Sequence, residues 1–103
     1  MYNRDVVGAA EDALQNAIKA MNSGRPTEAE ALFNKALALK PDLAEAWLGR
    51  GNAFVKLERY DEAFADYDRA LALKPDLTGA WLGHLLANLG RYHDSLAAYD
   101  KAI

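Results

Sequence analysis

The eight residues Ala36-Leu37-Ala38-Leu39-Lys40-Pro41-Asp42-Leu43 recur letter for letter as Ala70-Leu71-Ala72-Leu73-Lys74-Pro75-Asp76-Leu77, an offset of 34 in a chain of 103 residues. The echo continues downstream, where Ala46-Trp47-Leu48-Gly49 returns as Ala80-Trp81-Leu82-Gly83. A fixed period of this length marks a repeat array, in which no unit buries its apolar face alone and each must stack on its neighbours. The chain is therefore expected to form a short stack of similar units rather than a closed globule.

Helical periodicity fills in the units. From Ala10 the apolar residues Ala13, Leu14, Ala17, Ile18 and Met21 fall at steps of three and four, one face of a helix, which Asn22-Ser23-Gly24-Arg25-Pro26 then stops. Thr27 with Glu30 three residues later has the spacing of a capping box, and the next helix carries Ala29, Leu32, Phe33, Ala36, Leu37 and Leu39 up to Lys40 before Pro41. Asp42 and Asp61 stand where caps would open two further helices, the second with Ala63, Phe64, Tyr67, Ala70 and Leu71 facing inward. Six helices are expected, over about 5–22, 27–40, 43–57, 61–74, 77–89 and 93–103, with no strand and with Trp47 and Tyr67 largely buried.

The period, together with Trp47, Gly51, Phe54, Ala63, Tyr67, Ala70 and Pro75 at their steps, resembles the tetratricopeptide repeat (TPR) family. The resemblance implies an all-α, right-handed solenoid of about three helix-turn-helix units. A lead-in over residues 1–9 is followed by units at 10–43, 44–77 and 78–103. The residue types have physical tasks in such a unit. Gly51 and Ala63 are small where two helices cross closely, Trp47, Phe54 and Tyr67 fill the space between them, and Pro75 prevents the second helix from continuing. Arg50 departs from the family pattern, which prefers leucine there. In the first unit Ala13, Ala17 and Ala20 stand in place of Trp47, Gly51 and Phe54.

The third unit is irregular. Trp47 precedes Tyr60 by thirteen residues, whereas Trp81 precedes the matching Tyr92 by only eleven, and Tyr67 and Tyr99 lie 32 apart. Two residues are missing, and an alignment of letters leaves Gly51 and Asn52 without counterparts. At about 100° per residue, that deletion turns everything downstream by roughly 200° relative to the Trp81 face. The first helix of the unit then cannot keep both its inner contacts and its usual connection to the next. Leu85 also stands where a close-packing glycine would be expected. The chain ends at Ile103, within what should be the last helix, so the stack is expected to be part of a longer array or to be covered by another chain.

Composition narrows the functional classes. About half the residues are apolar and a quarter charged, which is ordinary for a folded soluble domain, and no stretch approaches the length of a membrane span. A net charge of −3 argues against nucleic acid, and the lack of cysteine removes disulfides and thiolate zinc sites and suits a cytoplasmic location. Tyr92-His93-Asp94-Ser95 contains triad letters, but neighbours at a helix start cannot align nucleophile, base and orienter. His84 has no second ligand one turn away, and the pairs Asp66/Asp68 and Glu28/Glu30 read as solvated helix faces. No enzyme, metal or cofactor is expected.

Surface shape remains. In the TPR family the first helices of successive units line a concave groove. Carried over residue by residue, its positions are Glu11, Leu14, Ile18, Met21 and Asn22, then Glu45, Leu48, Asn52, Val55 and Lys56, then Leu82. The same leucines would equally serve packing between neighbouring helices. The carboxylate clamp by which some family members hold acidic chain ends has no counterpart, its positions being Leu14, Ile18, Gly49, Gly79 and Gly83. An apolar groove, with pockets at Gly49 and Gly83, would suit an amphipathic helix or an apolar strip of a partner protein or peptide. The second expectation is a homodimer through the third unit, by way of Leu85, Leu86, Leu89 and Ile103, including exchange of the last helix between chains.

Overall fold

In a computed structural model of the chain, the backbone is described over residues 4–102 and the side chains over 8–77 and 79–93. Five helices follow one another: α1 (Arg4–Asn22), α2 (Pro26–Leu39), α3 (Ala44–Lys56), α4 (Tyr60–Leu73) and α5 (Thr78–Ala102). Among the described residues there is no strand. α1 packs on α2, α3 on α2 and α4, and α4 on α5, so each helix meets its sequence neighbours and little else. The radius of gyration is 15.1 Å and the extents are 62 × 27 × 18 Å. A compact domain of 100 residues would have a radius of about 13 Å, so this is an extended stack.

Two apolar clusters hold it. The first joins Leu14 and Ala17 of α1 to Phe33 and Leu37 of α2 and Ala46 of α3; the second joins Phe54 of α3 to Tyr67 of α4 and to Ala80 and Ala87 of α5. Trp47 touches both clusters but is only half-buried, less than the sequence suggested, because its indole N–H lies at the edge and donates to Pro41 O at 2.8 Å. Trp81 repeats the device with Pro75 O at 3.1 Å. The repeated Lys-Pro-Asp-Leu segment is thus a corner that the following tryptophan ties to its own helix.

The helix starts differ from the expected caps. α2 opens on Pro26, whose fixed φ suits the first helical position and which has no N–H to satisfy. No side-chain cap forms there, and Glu30 reaches instead to Arg59 Nη1 at 2.6 Å. Neither Asp42 nor Asp61 caps: α3 begins after Leu43, which is buried, and α4 begins already at Tyr60.

The largest difference lies in the third unit. The two helices expected over 77–89 and 93–103 are one continuous helix of 25 residues. The earlier units turn through a left-handed residue, Gly24 at φ 72° and Glu58 at φ 60°. The matching Gly90 lies inside α5. Contacts to the preceding unit explain why. Ala80 and Ala87 are fully buried at the places of Ala46 and Ala53, so the inner face of α5 keeps the step of 34 as far as residue 87. The turn signal then arrives two residues early, on the wrong side of the helix, and the helix runs on. The missing pair therefore lies between Ala87 and Gly90 rather than after His84.

Candidate interaction surfaces

A cleft of about 510 Å³ opens across the first helices of the units. Ile18, Met21 and Asn22 of α1, Gly49, Asn52, Val55 and Lys56 of α3 and Leu86 of α5 line it, with Phe33 and Tyr67 reaching in from the second helices. The structure thus brings together Ile18, Met21, Asn22, Asn52, Val55 and Lys56 of the expected groove. It places the leucine ladder elsewhere. Leu14 is buried within the first cluster, Leu48 is half-buried with Cδ2 near the backbone of Gly79, and Leu82 is exposed on α5, outside the cleft. The identical letters fall in different surroundings: Leu14 belongs to the first apolar cluster, Leu48 packs against the second, and Leu82 is 57 % exposed.

Phe33 and Tyr67 were not singled out for this surface, although their spacing carried the signal. Each stands sixteen residues before a glycine, Gly49 and Gly83, and each ring fills the space that a side chain there would need. A Cβ at Gly49 would lie 2.2 Å from the Phe33 ring, and one at Gly83 2.5 Å from the Tyr67 ring. The pockets expected at these glycines are therefore occupied by the aromatic rings. Tyr67 is also closed in by Gly51 of its own unit, and its hydroxyl donates to Asn52 Oδ1 at 2.6 Å. Burial, with the nearby Asp66 charge, pushes the phenol pKa up, so it remains a neutral donor. Gly83→Ala is expected to drive α5 off α4 and to cost about 1–3 kcal/mol in a urea titration; an unchanged midpoint would show that the Tyr67 ring swings aside freely.

On the other side of the stack a charged network joins α2, α3 and α4. Asp66, expected to be solvated, is 3 % exposed, and its two oxygens accept from Arg50 Nε at 2.7 Å and Nη2 at 2.8 Å. Arg50 Nη1 also donates to Asn34 Oδ1, and the guanidinium lies against the Trp47 and Phe54 rings. Arg59 bridges Glu30 and Glu62 and also lies over the Phe54 ring. The two ends of the Arg50–Asp66 pair are unequal. Burial pushes the Asp66 pKa up by more than Arg50 holds it down, whereas the bond to Asp66 raises that of Arg50 despite its burial. With every side-chain nitrogen of Arg50 and Arg59 matched to a carboxylate or amide, this network is a structural clamp.

Among the described residues, most of the exposed large apolar side chains lie on α5. Trp81, Leu82, Leu85, Leu86, Leu89 and Tyr92 are each 51–62 % exposed, while the opposite face turns Ala80, Gly83 and Ala87 to α4. Contiguous patches above about 300–600 Å² are unusual on monomers and mark contact sites. Leu86 belongs both to this face and to the cleft. Ile103, expected to take part, lies outside the described residues. Beside the face, His84 packs on Phe64, with ring centroids 4.8 Å apart, and its Nε2 lies 3.6 Å from Asp68.

Among the described residues no group of three His, Cys, Asp or Glu side chains could hold a metal ion, and no helix is long and apolar enough to cross a membrane. A comparison with curated proteins finds no match. Family models described as tetratricopeptide repeat match residues 14–78 and 80–103. With the period of 34, the stacked antiparallel helices and the glycine–aromatic contacts that recur from unit to unit, the chain belongs to the tetratricopeptide repeat family, whose repeats generally mediate protein–protein interaction.

Proposed function

We propose that the chain is a non-catalytic protein-interaction scaffold that receives an apolar segment of a partner in the cleft across α1, α3 and α5. The observation that carries this reading is the convergence of Ile18, Met21, Val55 and Leu86 on one opening, with Asn22, Asn52 and Lys56 as its polar members. Such a lining favours an amphipathic helix, whose apolar stripe would meet the cleft while its other face stays in water. An acidic chain end would find only Lys56 to hold it, through an exposed and salt-screened charge. The test is calorimetry against a panel of 18-residue amphipathic peptides with a leucine stripe, beside a short acidic peptide with a free C-terminus. Saturable binding of the stripe peptides, lost in Ile18→Asp, is expected; Ile18 is partly exposed, so the substitution spares the core. Tight, salt-resistant binding of the acidic peptide, or stripe binding untouched by Ile18→Asp, would contradict the reading.

A second reading is favoured by α5: self-association as a homodimer through its apolar face. Six large side chains in one stripe, each more than half exposed, would supply most of the roughly 800 Å² per chain that an ordinary interface buries. The two readings are compatible, since most of the cleft lies on α1 and α3.

A further inference from the structure

We propose that α5 is an exchanged arm: its residues 92–102 lie antiparallel on residues 78–89 of a second copy of this chain, in the place their own hairpin would have filled, and the reverse. The proposal rests on the homodimer reading and specifies its geometry. Three observations carry it. First, Leu82, Leu85, Leu89 and Tyr92 are exposed at steps of three and four, and the sequence continues the steps at Leu96 and Tyr99 along the same unbroken helix. An alternating three–four apolar stripe is the seam of a helix pair, and it runs without interruption past the point at which the earlier units turn.

Second, the arm has the sequence of a second helix. Arg91-Tyr92, Ala97, Tyr99-Asp100 and Ala102 match Arg59-Tyr60, Ala65, Tyr67-Asp68 and Ala70 at a step of 32. Arg59 is the residue before α4 and Tyr60 to Ala70 are most of that helix, which packs on α3, the helix before it. The segment corresponding to α3 is residues 78–89, and the arm cannot fold back on it within one chain because both are parts of α5. A second chain supplies the same segment free of that covalent constraint. Third, the direction follows from the same correspondence. Consecutive helices in a hairpin run antiparallel, so an arm occupying the hairpin position on another chain does too, and a two-fold axis passes near Gly90.

The protein has no cysteine, so spin labels at Asp76→Cys and Lys101→Cys report only the engineered sites. In doubly labelled chains diluted into unlabelled ones, an unbroken α5 separates the labels by about 35 Å, against about 10–15 Å for a closed hairpin. Mixing chains labelled only at 76 with chains labelled only at 101 reads the contact between copies, where exchange gives a separation of about 10–20 Å. Scattering mass is read on the same samples. A dimer with the long distance within chains and the short one between chains is the expected result. A dimer with the short distance within chains overturns the exchange but leaves the homodimer reading standing. A dimer with both distances long overturns the exchange in favour of another packing of α5. A monomer overturns both. Tyr92→Pro puts at the start of the arm the residue type that opens α2 at Pro26. It breaks the helix there, and is expected to weaken the dimer about a hundredfold; unchanged dimerisation would speak against a continuous arm.

Discussion

Arg50→Leu lowers the unfolding free energy by about 2–3 kcal/mol, although leucine is the residue the repeat pattern prefers at that position. The cause is Asp66. Its carboxylate is almost fully buried, and both of its oxygens are held by the one guanidinium, so leucine would leave an ionised group in the core with no counter-charge. The effect falls at or below the low end for a broken buried pair because the Arg50 side chain keeps 21 % of its exposure. Replacing both residues, Arg50→Leu with Asp66→Leu, should recover most of the loss, since apolar side chains of similar size are often neutral where a buried pair stood. Urea titrations of the single and double variants check both statements. A single variant as stable as the parent would show that Asp66 finds water or another donor.

The same pair sets a pH dependence with a definite sign. Burial raises the folded pKa of Asp66 above its ordinary 3.8, so in the window between those values the folded chain binds the proton more than the unfolded chain does. Stability contributed by this group is then lost as pH rises through the window and regained as it falls. Removing Arg50 removes the leading influence that lowers the pKa and widens the window. The deficit of Arg50→Leu should accordingly shrink as the pH is lowered from neutrality. A deficit independent of pH would show that it comes from lost packing on Trp47 and Phe54 instead.

Much of this arrangement was legible in the repeat. The step of 34 and the apolar periodicity located four helices, and Lys-Pro-Asp-Leu marked the ends of α2 and α4, because it stops a helix by chemistry local to itself. The two missing residues were also visible, as was the conflict they create between inner contacts and the next connection. Its outcome was not. Whether the helix would bend, fray or continue depended on which side kept its register, and that was settled by Ala80, Gly83 and Ala87 against α4. The expected caps failed for a related reason. Pro26 and Leu43 secure their helix starts by geometry and burial, which makes a side-chain hydrogen bond dispensable.

The candidate site divides along the same line. Ile18, Met21, Asn22, Asn52, Val55 and Lys56 followed from position in the repeat, since each lies on a first helix at a place that recurs. Phe33 and Tyr67 did not, because they reach the cleft from second helices, and Leu86, which follows Ile18 and Asn52 at the step of 34, is hidden when the missing pair is placed after His84. Leu14 misled because burial depends on what lies across from a residue, and the neighbours of Leu14 close over it where those of Leu82 leave it open. Asp66 misled for the opposite reason. The Asp66/Asp68 pair reads as a solvated helix face until Arg50, sixteen residues before Asp66 in the chain, is brought against it.

The deletion in the third unit is the feature from which the exposed face of α5 and its proposed pairing follow, and it can be undone. Inserting Lys-Leu between Leu89 and Gly90, a copy of Lys56-Leu57, leaves Ala80, Gly83 and Ala87 in place and brings the Gly90-Arg91-Tyr92 turn back into the register of Glu58-Arg59-Tyr60. Light scattering of the two chains over a wide concentration range then reads the consequence directly. The parent chain should rise to twice its monomer mass, and the restored chain, with its hairpin closed on itself, should remain monomeric over the same range. A parent that stays monomeric at the highest concentration, or a restored chain that dimerises as readily, would contradict the link between the missing residues and assembly.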